Sequence, residues 1–139
     1  MLPTHQRLRD NGDFRRIYAR GRSYAHSLAV LYVYRRAGEV AQAMPGLRIG
    51  FVVSKKQGKA TARNRIKRRL REAVRQQWRA LPQRPFDLIF VARGRLRKAE
   101  WPEVRAAVET LLRQAGLLAL RAGPGAERSG EEDTGVRGG

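Results

Sequence analysis

Ten lysine or arginine side chains and a single acid, Glu72, occupy residues 55 to 75, KKQGKATARNRIKRRLREAVR. Cations at this density do not make or break bonds by themselves. Their chemistry is the neutralisation of phosphate oxygens, by Lys as a point charge and by Arg as a planar fork of donors. Within the run Ile66, Leu70, Ala73, Val74 and Trp78 recur at steps of four, three, one and four, which is one face of a 3.6-residue period. The spacing predicts a helix starting after Thr61 with one buried stripe and with Arg63, Arg65, Lys67, Arg68, Arg69, Arg71 and Arg75 around the rest. With Glu72 the one acid among them, their mutual repulsion is left largely uncompensated, so the stretch calls for a polyanion. Just ahead, Lys55, Lys56, Gly58 and Lys59 lead into a helix start whose free amides favour an anion. A nucleotide-cradling loop is excluded, because Val53 stands five before Gly58 and Ala60 follows Lys59 where that motif needs Gly and Ser or Thr.

Catalysis by side chains finds little support. The acids Asp10, Asp13, Glu39, Glu72, Asp87, Glu100, Glu103 and Glu109 are scattered, with no pair at site-like spacing. His5 and His26 have no ligand-spaced partner, and Ser23, Ser27 and Ser54 lack a nucleophile-elbow context. A net charge of +18 on 139 residues, with a pI near 11.7, exceeds what solubility needs and fits association with phosphate. The absence of Cys excludes disulfides and thiolate metal sites and favours the cytoplasm. No apolar run reaches membrane-span length, the N-terminus has no signal-like apolar segment, and the apolar face of the basic helix is too narrow and alanine-rich for membrane anchoring.

Around the basic helix the pattern predicts a single α/β domain over residues 1 to 120, a small sheet covered by helices, followed by a disordered Gly-rich tail at 121 to 139. A short helix spans about Asp13 to Ala19, with Phe14, Ile17 and Tyr18 on one side and Gly21 at its end. The segment LAVLYVY at 28 to 34 alternates as a strand. Leu28, Val30, Tyr32 and Tyr34 face one way and Ala29, Leu31 and Val33 the other, so the strand is either sandwiched or has a binding face. A Gly, Pro and Ala-rich connection at 37 to 46 precedes a second strand, RIGFVVS, at 48 to 54. Beyond the basic helix, Pro82 and Pro85 bracket a turn, DLIFVAR at 87 to 93 reads as an interior strand, and a last helix starts near Pro102. Phe14, Tyr18, Val30 and Tyr32 could line one groove and stack unpaired bases, but at these spacings aromatics serve equally to fill a core.

The stretch from Arg48 to Glu72 has the form RxGxxVSKKxGxAxxRNRxKRxxRE and resembles the signature of the bacterial ribonuclease P protein subunit. The likeness extends from RLRDNGDFRRIYARG to DLIFVARG and the last helix, roughly residues 7 to 118. The resemblance implies the protein partner of a catalytic RNA, the two together removing the 5′ leader from precursor tRNA in a magnesium-dependent hydrolysis performed by the RNA. On that reading the protein binds no cofactor of its own, Mg2+ sits at the RNA centre, and no obligate protein partner or membrane is involved. By position, Lys55, Lys56, Lys59, Arg63, Asn64, Arg65, Lys67, Arg68 and Arg71 inherit the contact with the catalytic RNA, and Phe14, Tyr18, Val30 and Tyr32 inherit the single-stranded leader. The resemblance also implies four strands in the order α-β-β-(β)-α-β-α, with a left-handed strand-helix-strand crossover around the basic helix. The pattern locates three of these strands. The fourth falls either at Tyr24 to Ser27 or as a subdivision of the first long strand. Two other classes, a structural rRNA-binding protein and a nucleoid-type DNA binder, share the basic helix but need no aromatic groove.

Overall fold

The computed structural model describes residues 11 to 118; the expected tail at 121 to 139 lies outside them. The elements run α1 (Asn11–Arg20), β1 (Arg22–Ala25), β2 (Ala29–Arg35), α2 (Gly38–Ala43), β3 (Arg48–Val52), α3 (Ala60–Gln77), β4 (Phe86–Ala92) and α4 (Trp101–Gln114). Four strands form one mixed sheet in the order β1-β2-β4-β3. β1 and β4 run antiparallel to β2, and β3 lies parallel to β4, its partner across the α3 connection. Among the described residues no helix is long and apolar enough to cross a membrane.

The fourth strand is β1, which overlaps the first of the two expected places only at Tyr24 and Ala25, and the long strand is not subdivided. Four residues with three of them exposed carry almost no periodic signal, which is why the pattern blurs there. Gly21 makes the reversal from α1 into β1 possible: a Cβ there would lie 2.6 Å from the Ile17 carbonyl oxygen and 2.7 Å from that of Val33. The 37 to 46 connection is not wholly irregular but contains α2, whose residues bury nothing and so leave no hydrophobic stripe to read.

One face of the sheet is covered by α3 and α4, whereas α1 covers the other only in part, so the two faces of β2 are buried to different degrees. Ala29 and Leu31, with Leu88 and Phe90 of β4 and Ile49 of β3, join Ile66, Leu70, Val74, Val104, Val108 and Leu111 of α3 and α4 in the main core. On the other face Ile17 of α1 meets Ile89 of β4, both fully buried, with Phe14, Tyr32, Tyr34, Val52 and Val91 packed around them. Leu28 departs from the expected alternation. It precedes the strand and belongs to the main core rather than to the Val30 and Tyr32 face. α4 is started by Glu100 and Glu103, the backbone N–H of Glu100 donating to Glu103 Oε1 at 2.7 Å.

Candidate nucleic-acid interface

The loop into α3 is shaped by a 3₁₀ turn, Lys55–Gln57, and by Gly58 at φ 123°, a backbone conformation that strains any residue with a Cβ. Gln57 turns inward, whereas Lys55, Lys56 and Lys59 are exposed. α3 then starts with no acid in its first turn and no side chain capping it, although three lysines stand just before. That arrangement raises the positive potential at the helix start rather than quenching it.

Along α3 the cations separate by the helical period into rows with different surroundings. Asn64 and Arg68 point outward and are exposed. Arg63, Lys67 and Arg71, four apart, form a half-buried flank, at the end of which the Arg71 guanidinium lies 5.5 Å from the centroid of the Phe51 ring of β3. Arg65 and Arg69 form the opposite flank. Arg69 does not present its charge outward, because its guanidinium donates to the carbonyls of Leu96, at 3.3 Å, and Ala99, at 2.5 Å. It pins the segment after β4 onto α3. Arg75, nearer the C-terminus, is engaged by Glu72 at 2.8 and 2.5 Å, and that hydrogen bond holds the exposed Glu72 carboxyl below its ordinary range. The outward charge of α3 is therefore concentrated in its first half.

A second group of cations was not assigned from the sequence: Arg93, Arg95, Arg97 and Lys98 are exposed in and beside the 3₁₀ turn Gly94–Lys98, next to the start of α3. Four cations in six residues were legible as a charge cluster. Their adjacency to α3 was not, because it depends on how β4 ends beside that helix.

On the opposite face of the sheet, α1 packs on β2 and β4 and leaves the side chains around it half-buried. Tyr18, 41% exposed, meets Tyr32 edge to face, with ring centroids 4.9 Å apart and planes at 84°. Partial burial, and secondarily the neighbouring Tyr32, push the Tyr18 phenol above its ordinary pKa. Phe14 packs on the Ile17–Ile89 plug, and Val30 pairs in register with Val91, which in turn pairs with Val52. The four residues expected to form a groove thus share one sheet face with α1, half-buried to exposed. Val52 and Val91 complete its apolar floor and had no separate signal, since strand valines read as core.

The start of α1 is held by a chain of ions. Arg48 grips the fully buried Asp87 with one bidentate fork, Nε to Oδ1 and Nη2 to Oδ2, both 2.9 Å, and reaches Asp13 of α1 at 3.3 Å. Arg36, also buried, donates to Asp87, to the Phe86 carbonyl and to the carbonyls of Met44 and Gly46. The signature arginine at 48 is thereby a structural tether for the groove rather than a free phosphate ligand. Among the described residues no cluster of three or more His, Asp or Glu side chains could hold a metal.

Comparison with known proteins agrees with this architecture. The family model for ribonuclease P matches residues 2 to 116. The chain is 39% identical over 116 residues to the ribonuclease P protein component of Clostridium novyi, covering 84% of this chain and 98% of that one. It is 43% identical over 128 residues to that of Herpetosiphon aurantiacus, covering 91% and 97%. Among solved structures, the RNase P protein of Staphylococcus aureus superposes with a TM-score of 0.71 at 30% identity, over 81% of this chain and 97% of that one. The RNase P protein of Thermotoga maritima gives 0.65 at 32%, over 76% and 94%. With sequence, sheet topology and basic helix in agreement, the chain belongs to the bacterial ribonuclease P protein family, the protein component of an endoribonuclease ribonucleoprotein of tRNA processing.

Proposed function

We propose that the protein holds two RNAs on two faces: the catalytic RNA on the Lys55 to Arg71 surface and the single-stranded 5′ leader of precursor tRNA in the cleft between α1 and the sheet. The observation that carries this reading is the pair formed by exposed Tyr18 and half-buried Tyr32 over an apolar floor, on the sheet face opposite the basic helix. A protein that only docked a folded RNA would have no use for a partly open aromatic face, whereas unpaired bases stack on such rings irrespective of sequence. The cations fit the second task. Lys55, Lys56, Lys59, Asn64, Arg65 and Arg68 present exposed donors for backbone phosphates, and Arg63, Lys67 and Arg71 support them from the β3 flank. The hydrolysis itself is assigned to the RNA, with Mg2+ at its centre. The protein raises affinity for precursor tRNA and screens repulsion between two polyanions, a role suited to the bacterial cytoplasm.

Reconstitution with a bacterial ribonuclease P RNA tests the proposal. Leader cleavage at low magnesium is expected to rise when the protein is added, with tighter binding of precursor than of mature tRNA. No gain in cleavage, or an equal gain in affinity for both tRNAs, removes the two-face reading.

A further inference from the structure

We infer that the turn after β4 is a second arm of the catalytic-RNA interface, and that the cleft between it and α3 seats a backbone phosphate of that folded RNA. The inference deepens the proposed function and rests on its assignment of α3 to the catalytic RNA. Ala62, Arg65, Ile66, Arg69 and Arg97 line the cleft, whose volume is about 220 Å³. Three of the five lining residues carry guanidinium groups, no acid lines the cleft, and among the described residues neither Arg65 nor Arg97 takes part in an ion pair.

The cleft is built before any ligand arrives. Arg69 ties α3 to the Leu96 and Ala99 carbonyls, and Leu96 is itself buried in the main core, so the turn cannot drift away from the helix. Gly58 lets the loop pass close to both sides: a Cβ there would stand 3.2 Å from Ala62 Cβ and 3.9 Å from an Arg97 guanidinium nitrogen. Arg97 thus lies across the entrance to α3, while Arg65 approaches from the helix. Two guanidinium forks from different elements, converging over an alanine and an isoleucine, suit the non-bridging oxygens of a phosphodiester. No aromatic ring lines the cleft, which favours a phosphate over a stacked base. The RNA is the catalytic one because Ala62, Arg65 and Arg69 belong to the same helix as the exposed Asn64 and Arg68, whereas the proposed leader cleft lies across the sheet.

The test uses the full chain with a bacterial ribonuclease P RNA and with precursor and mature tRNA, comparing wild type, Arg97→Ala, Arg97→Lys and Arg68→Ala. Arg97 is exposed, and melting curves of its variants are expected to match the wild type. Loss of one neutralised phosphate predicts about fivefold weaker RNA binding near 0.15 M salt for Arg97→Ala, with the log–log salt slope shallower by about 0.7 to 0.9. Arg97→Lys should keep most of the slope, and preference for precursor over mature tRNA should not change. If Arg68→Ala weakens RNA binding and Arg97→Ala does not, the second arm is overturned while the proposed function stands. If neither substitution matters, both fall. If Arg97→Ala erodes precursor preference but leaves RNA affinity intact, the cleft belongs to the substrate and the inference is equally overturned.

Discussion

The α3 surface and the α1 cleft are built from opposite materials, and they respond to folding in opposite ways. The first is a run of cations on one continuous helix, so its residues are neighbours by virtue of local geometry alone. The second gathers Phe14 and Tyr18 from α1, Val30 and Tyr32 from β2, Val52 from β3 and Val91 from β4, and exists only while the sheet and helix hold together. A charge surface tolerates loss of any one member, since screening is shared among many side chains. An aromatic cleft has few members, each partly responsible for its own support.

That contrast can be broken most forcefully at Asp87. Removing this fully buried carboxylate strands Arg36 and Arg48, and Asp87→Ala is expected to destabilise the fold by about 3 to 5 kcal/mol in denaturant titrations. Retention of wild-type stability would show that the ion chain does not support the cleft. Next in size, Tyr32→Ala or Phe14→Ala should weaken precursor tRNA by about 1 to 3 kcal/mol and spare mature tRNA, measured at matched folded fractions. Equal losses would make these rings structural only. Arg68→Ala, on the outward row, should weaken the catalytic RNA by about 1 kcal/mol near physiological salt and lower the salt slope by about one. An unchanged slope would remove that row from the interface.

The smallest effect belongs to Glu72→Gln. Its carboxyl has a folded pKa below the unfolded one, so whatever it contributes is present above the unfolded carboxylate range and lost as pH falls through the folded value. Melting near neutral pH should move little, because the Glu72–Arg75 pair is exposed. RNA binding should become slightly steeper in salt as Arg75 is freed. A weaker salt dependence would mean that the C-terminal half of α3 has no phosphate within reach.

Legibility followed the same division. α3, β3 and β4 were readable because each has a strong single period or an unbroken apolar run, and their observed bounds differ from expectation by a residue or two. α2 and β1 were weak because they bury little, leaving no alternation to detect. The residues alone left Phe14, Tyr18, Val30 and Tyr32 open between core and groove. The structure packs half-buried Phe14 and Tyr32 against the Ile17–Ile89 plug and leaves Tyr18 more exposed, a difference in burial that no local period carries. Arg48 and Arg69 resembled the other basic residues in sequence, and only their partners, Asp87 and two backbone carbonyls, separate them from cations open to solvent.

By itself the sequence determined that a strongly cationic helix with one buried stripe stands between two strands of a small α/β domain, because charge and periodicity are local properties of the chain. Only the tertiary structure decided which of those cations are spent inside the protein, which face out, and that the turn after β4 stands beside the start of α3. Those outcomes depend on hydrogen bonds and sheet pairings between residues 27 to 51 positions apart, as between Arg69 and Leu96 or between Arg36 and Asp87, where no local period reaches.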